Sequence, residues 1–272
     1  MRVSTIIEAR MGSTRFPGKV MAMVNNIPLL QYVINRAGRM PILVDTVVVA
    51  TPEGEENAHI WDTVKKQEGV KLVKGPEADV LGRVLKAGVE TNTDVIVEIT
   101  ADCPVLDPKL VDLCAGYLIC GGYDSVDNCS LRSWPIGMDV RVFTLEALKR
   151  ADTLIRGHEK EAFYREHCGN VFYSEDFREA FKTKTLEAGE EETAPEFRLT
   201  VDVPGDIRPI KTLLEDLYPQ NPAFTCADAL KHLCTLPGYE ELLNTKEITA
   251  PWNQSSLQEE PGSSGLILPS TS

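Results

Sequence analysis

Residues 9–19 read ARMGSTRFPGK and hold three cations, Arg10, Arg15 and Lys19, interleaved with Gly12, Ser13, Thr14, Pro17 and Gly18. They stand out because the whole chain is acidic, with 41 Asp and Glu against 28 Lys and Arg and a formal net charge of −13. Glycines let a backbone come close to a ligand and aim its N–H groups at it. Arginine adds a planar fork of donors and lysine a compact charge. That combination suits a di- or triphosphate. The stretch also reads as a solvated turn whose cations serve solubility, and residue types alone do not separate the two. It is not a Walker A loop, because Val20 stands where Ser or Thr must follow the lysine.

Two further stretches could supply a metal. In ITADCPVLDP (99–108), Asp102 follows the most strand-like run of the chain, DVIVEIT (94–100). In FRLTVDVPGD (197–206), Asp202 closes what reads as another strand. Mg²⁺ prefers one or two carboxylates together with substrate phosphates, so two strand-end aspartates could clamp it over a polyphosphate. Each also reads as a turn or helix-capping residue. Asp107 before Pro108 has the pattern of a helix N-cap, and Asp206 is expected to cap the helix that follows it.

These residues need a scaffold that brings them to one edge. Short β-branched runs at 3–9, 45–51, 70–75 and 94–100 alternate with helix-period segments at 28–39, 55–69, 78–90 and 107–122. Repeated strand–helix alternation predicts an α/β fold with a mainly parallel sheet covered on both faces. Such folds place ligands at the carboxyl ends of their strands. Past residue 122 the rhythm loosens. Strands are expected near 122–128, 137–144 and 197–202, and helices at 145–155, 206–218 and 225–234. The acidic run at 187–195 reads as a mobile, solvated loop. Residues 1–249 form the expected domain, and 250–272, rich in Ser, Pro and Gly, read as a disordered tail.

Composition excludes some functions. The acidic balance argues against a duplex nucleic-acid partner but not against a small anion held by a local positive site. The 7 cysteines form no C-x-x-C and no zinc-finger spacing, so reduced thiols are expected, with Cys103 in a packing role. No signal peptide and no apolar stretch of membrane-spanning length is seen, which makes the cytoplasm the expected location. His59 and His232 have no ligand partner at helical spacing, and Trp61 reads as core.

Taken in order, the segments resemble a known family. IIEARMGSTRFPGK, GPEADVLGRVLKA (75–87), ITADCPVLDP, GMDVRVFTLEAL (137–148) and FRLTVDVPGD match, in sequence and rough spacing, the cytidylyltransferases that make CMP-activated acidic sugars. The likeness is to the SpsF-like branch, related to CMP-sialate and CMP-Kdo synthetases, and it runs from residue 3 to about 235. The resemblance implies a nucleotide-diphospho-sugar transferase-like (Rossmann-like) three-layer sandwich. It also implies a Mg²⁺-dependent reaction in surface polysaccharide synthesis, in which an acidic or amino sugar attacks CTP and pyrophosphate leaves. It places Ala9, Arg10, Gly12, Ser13, Arg15, Lys19 and Ala101 along the nucleotide, with Asp79 and Arg83 bordering it. Arg10, Lys19 and Asp102 would be catalytic, Asp102 and Asp202 would hold Mg²⁺, and Asp139 with Arg141 would form the acceptor pocket. A homodimer is the oligomer it suggests. Another nucleotide triphosphate, a sugar phosphate, or a catalytically silent nucleotide-binding homologue are the alternatives. Glu8, Ala101 and Arg141 depart from the family's usual Gln, Gly and Glu. The family's R-E-H-V-T-P segment has no clear counterpart, so His158 and His167 receive no role.

Overall fold

The computed structural model describes residues 1–240; the expected tail at 250–272 lies outside them. The first strand is β1 (Val3–Glu8), followed by a short hairpin of β2 (Met23–Val24) and β3 (Ile27–Pro28). Then come α1 (Leu29–Val33), β4 (Thr46–Pro52), α2 (Ala58–Lys65), β5 (Val70–Gly75), α3 (Val80–Glu90), β6 (Val95–Thr100) and α4 (Pro108–Gly121). The second half contains β7 (Ser125–Asp127), β8 (Arg141–Thr144), α5 (Leu145–Ile155), α6 (Glu161–Glu166), β9 (Thr183–Thr185), α7 (Ile207–Asp216) and α8 (Cys226–Thr235). The expected helix at 28–39 is real but changes pitch, passing from α1 into a π-helical segment, Ile34–Arg39.

Seven strands form one sheet in the order β5-β4-β1-β6-β8-β7-β9. The four strands read from the first half run parallel, and β8 enters antiparallel to both β6 and β7. Successive side chains of a strand point to opposite faces, so the buried runs feed two cores. Val3, Ile7, Val49, Val97 and Ile99 face α1, α2, α4, α7 and α8. Ile6, Val48, Ala50 and Ile96 face α3, α5 and α6. This is the expected three-layer sandwich.

Three expectations fail locally. Residues 197–202 do not join the sheet; they make one isolated parallel bridge, Ile136 to Arg198. Their donors go instead to loop carbonyls, Leu199 N to Ile136 O at 2.7 Å and Val201 N to Asp102 O at 2.9 Å. Alternating RLTV reads as a strand, but here it pairs with loops. The acidic run at 187–195 is fastened to its neighbours: Ala188 N donates to Ser133 Oγ at 3.0 Å, Ala194 N to Ser133 O at 3.0 Å, and Ala194 is buried. Asp206 does not cap α7 through its side chain. Asp107 does behave as expected, accepting from Lys109 N at 2.8 Å at the start of α4.

Candidate functional site

The carboxyl ends of β1, β5 and β6 open onto a cavity of about 650 Å³, within the range of small-molecule sites. The loop after β1 forms one wall. It folds back on the Met11 carbonyl, which accepts from Ser13 N at 2.9 Å and Gly18 N at 3.0 Å. Gly18 sits at φ 72°, a left-handed conformation that a side chain would strain. Phe16 is fully buried and anchors the loop to the core. Buried Phe16 and the turn at Gly18 deliver Lys19 inward rather than to solvent.

Lys19 is the centre of the site. Its Nζ lies 2.8 Å from Asp102 Oδ2 and 2.8 Å from Asp202 Oδ1. Arg15 adds a second cation 3.3 Å from Asp202 Oδ1. Arg198, which the sequence did not mark, pairs with Asp202 Oδ2 and reaches Asp206 at 3.3 Å. Asp206, wholly buried, accepts from Asp202 N at 2.7 Å and Val203 N at 2.9 Å. Its job is therefore to hold the Asp202 turn, while the Asp102 carbonyl takes Val201 N and the Thr200 hydroxyl. Burial disfavours charge on Lys19, but Asp102 and Asp202 outweigh it and raise its pKa. Burial likewise pushes Asp202 up, and Lys19 and Arg198 more than reverse it.

The other residues singled out in the sequence divide into two groups. Ala9, Arg10, Gly12, Ser13, Arg15, Lys19, Arg83, Ala101, Asp102 and Asp202 all line the cavity. Arg10 is half-exposed and 3.8 Å from Glu77. Buried Arg83 donates to the carbonyls of Pro76 and Glu77 at 2.6 and 2.8 Å, and burial lowers its pKa. Asp79, Asp139 and Arg141 lie outside the lining. Asp79 caps α3 through Gly82 N at 2.9 Å and pairs with Arg165 at 3.1 Å. Asp139 pairs with Arg132. Arg141 begins β8 opposite Glu98, with its Nε buried and unpartnered. Cys103 packs behind Asp102, and burial above all raises its thiol pKa, so it is no nucleophile.

Sequence reasoning missed Glu77, Val80, Thr100 and Glu166 and left His167 without a role; all five join the noted Glu8 in the lining. His167 follows α6, a helix the periodicity did not reveal, and stacks against Phe163 with ring centroids 4.8 Å apart. Among the described residues no three His, Cys, Asp or Glu side chains gather as a ready-made metal site. Two aspartate oxygens do converge on one cationic centre, which is the hard-donor pair a divalent ion takes when phosphates and water supply the rest.

The cavity, the cationic loop and the paired aspartates sit where open α/β sheets bind ligands, and the chain matches the cytidylyltransferase family over residues 4–235. The chain belongs to that family. This cytidylyltransferase is 30% identical over 214 residues to the spore coat polysaccharide biosynthesis protein SpsF of Bacillus subtilis, covering 77% of this chain and 85% of that one. An uncharacterized protein of Methanocaldococcus jannaschii is 32% identical over 208 residues, covering 76% and 81%. A solved cytidylyltransferase from Leptospira borgpetersenii superposes with a TM-score of 0.78 at 30% identity, over 89% of this chain and 97% of that one. As in the sequence reading, no helix among the described residues is long and apolar enough to cross a membrane.

Proposed function

We propose that the cavity binds CTP and transfers its cytidylyl group to an acidic or amino sugar for surface polysaccharide synthesis. The observation that carries this is the Lys19–Asp102–Asp202 centre with Arg15 beside it, cations and carboxylates facing one cavity at the sheet edge. A sugar hydroxyl attacks the α-phosphorus, a new O–P bond forms, the α–β bridge breaks, and pyrophosphate leaves. Arg10, Arg15 and Lys19 would hold the triphosphate and take up charge on the leaving pyrophosphate. Asp102 and Asp202 would hold Mg²⁺, which supplies charge neutralisation on the phosphates. Such a reaction needs positioning and charge rather than a nucleophilic side chain, and the neutral, buried Cys103 agrees with that. The kinship to a spore coat polysaccharide biosynthesis protein supports a sugar acceptor. Asp139 and Arg141, which the resemblance implies for the acceptor, lie behind the cavity lining, so their part would be to position its wall rather than to touch the acceptor.

The test is pyrophosphate release with each of the four nucleoside triphosphates and a panel of acidic and amino sugars. CTP with one sugar class should turn over. A preference for UTP would overturn the base assignment. CTP binding without turnover on any sugar would make the chain a silent homologue.

A further inference from the structure

The α3 side of the cavity contrasts chemically with the Lys19 side. In the pairing of β1 with β6, Ile6 lies opposite Glu98 and Glu8 opposite Thr100. Glu8 and Glu98 therefore project from the same face on neighbouring strands, at diagonal positions that long side chains can bridge. That register sets the two carboxyls side by side on the face that packs against α3. Glu8 Oε1 and Glu98 Oε2 are both buried with no donor. The main chain supplies one contact, Gly169 N to Glu98 Oε1 at 3.2 Å. Gly169 is pressed onto the pair, for a Cβ there would lie 2.4 Å from Glu98 Oε2 and 2.2 Å from Arg141 Cδ.

The charged neighbours do not neutralise this pair by direct bonds. Arg83 of α3 spends its hydrogen bonds on main-chain carbonyls, and Arg141 of β8 leaves Nε unpartnered. Cys168, after α6, faces the pair as a buried thiol. On the cavity side stand Arg10, Glu77, Glu166 and His167. Two buried carboxylates in contact cannot both stay ionised, and orphaned buried acceptors are costly. A proton on Glu8, donated to Glu98, removes both problems.

We propose that Glu8 carries a proton, donated to Glu98 before a nucleotide binds, and that the base of a bound cytidine nucleotide takes this O–H in place of Glu98 while its amine donates to the other Glu8 oxygen. The inference rests on the nucleotide reading above. Cytosine presents a ring-nitrogen acceptor next to an amine donor, and a carboxylic acid matches both. An ionised Glu8 offers acceptors only and sets its charge against the ring-nitrogen lone pair. Burial is the largest cause raising the Glu8 pKa, followed by the charge and hydrogen bond of Glu98, with Arg83 and Arg141 opposing. Glu8 is a specificity-determining residue on this account, and Glu98 a positioning residue that keeps the proton in place.

The experiment is calorimetric binding of CTP, and of inorganic tripolyphosphate, to the full chain from about pH 6 to about pH 9. Wild type, Glu8→Gln and Glu98→Gln are compared. In wild type, CTP affinity should fall about tenfold per pH unit once the pair loses its proton, while tripolyphosphate affinity should not follow. Glu8→Gln has no proton to lose there, so its CTP profile should be flat. In Glu98→Gln the neighbouring charge is gone, so the fall should begin at lower pH. An unchanged pH profile in Glu8→Gln, or an equal fall for tripolyphosphate, overturns the proposal. Wild type that binds tripolyphosphate but not CTP overturns the nucleotide reading itself, a distinct result. Should a variant misfold, the infrared difference between wild type at neutral and alkaline pH still decides: a protonated-carboxyl C=O band must be present and then vanish. Its absence at neutral pH overturns the protonated Glu8.

Discussion

The two sides of the cavity handle buried charge in opposite ways. On the Lys19 side every carboxylate meets a cation: Lys19 bridges Asp102 and Asp202, with Arg15 and Arg198 behind. On the Glu8 side two carboxyls project from neighbouring strands onto one face, and among the described residues no guanidinium bonds to them. The first arrangement stores charge that a polyphosphate and its metal can take over. The second removes charge, leaving a surface that reads a ligand by hydrogen bonds. One cavity thus separates holding phosphates from recognising the rest of the molecule.

The largest effect should come from breaking the charged side. Asp102→Asn should lower turnover about 10²–10³-fold, as the loss of one well-placed electrostatic group does, measured by pyrophosphate release at saturating CTP. Near-normal turnover would remove Asp102 from the metal role. Next comes steric damage to the neutral side. Gly169→Ala drives a methyl into Arg141 and Glu98 and should cost about 1–3 kcal/mol, or some 2–12 °C in Tm. If Gly169→Ala melts like wild type, the packing above Glu98 is looser than described.

A pH experiment sharpens the comparison further. The pKa of Asp202 is lower in the folded chain than its ordinary value, so its contribution to stability is full above the ordinary carboxylate range and is lost as pH falls through the folded value. Denaturant unfolding below about pH 5 should therefore weaken less steeply in Asp202→Asn than in wild type. Lys19, whose pKa is raised, has the opposite sign: its contribution is full at neutral pH and fades only at strongly alkaline pH. The smallest effect belongs to the rim. Arg10 and Glu77 are both about half exposed and 3.8 Å apart, so Arg10→Ala should change stability by less than about 1 kcal/mol. It should still weaken CTP binding, more at low salt than at high. A loss of binding that ignores salt would mean Arg10 acts by shape rather than charge.

The contrast also marks what the sequence could convey. The parallel half of the sheet was legible because β-branched runs and helical periodicity are local signals, and β1, β4, β5 and β6 appear where they were expected. Asp102 and Asp202 were legible as strand-end carboxylates, one by one. That Lys19 would bridge them was not, since the contacts span 83 and 183 residues and depend on residues 197–202 staying out of the sheet. Glu98 read as an ordinary member of the run DVIVEIT, and only strand register places it beside Glu8. Glu166 was hidden, and His167 left without a role, because α6 is six residues long and has no side-chain N-cap bond to announce it. Asp139 and Arg141 were proposed by resemblance for the acceptor, and the fold seats them behind the lining, paired or buried.

If the Lys19 side receives the triphosphate of CTP, a crystal structure of the chain with CTP and Mg²⁺ shows phosphate oxygens on Lys19 and Arg15. The Lys19 ammonium is then drawn off Asp102 and Asp202, and those two carboxylates hold the ion. A nucleotide bound elsewhere, with Lys19 still bridging the two aspartates, would contradict this placement of the triphosphate.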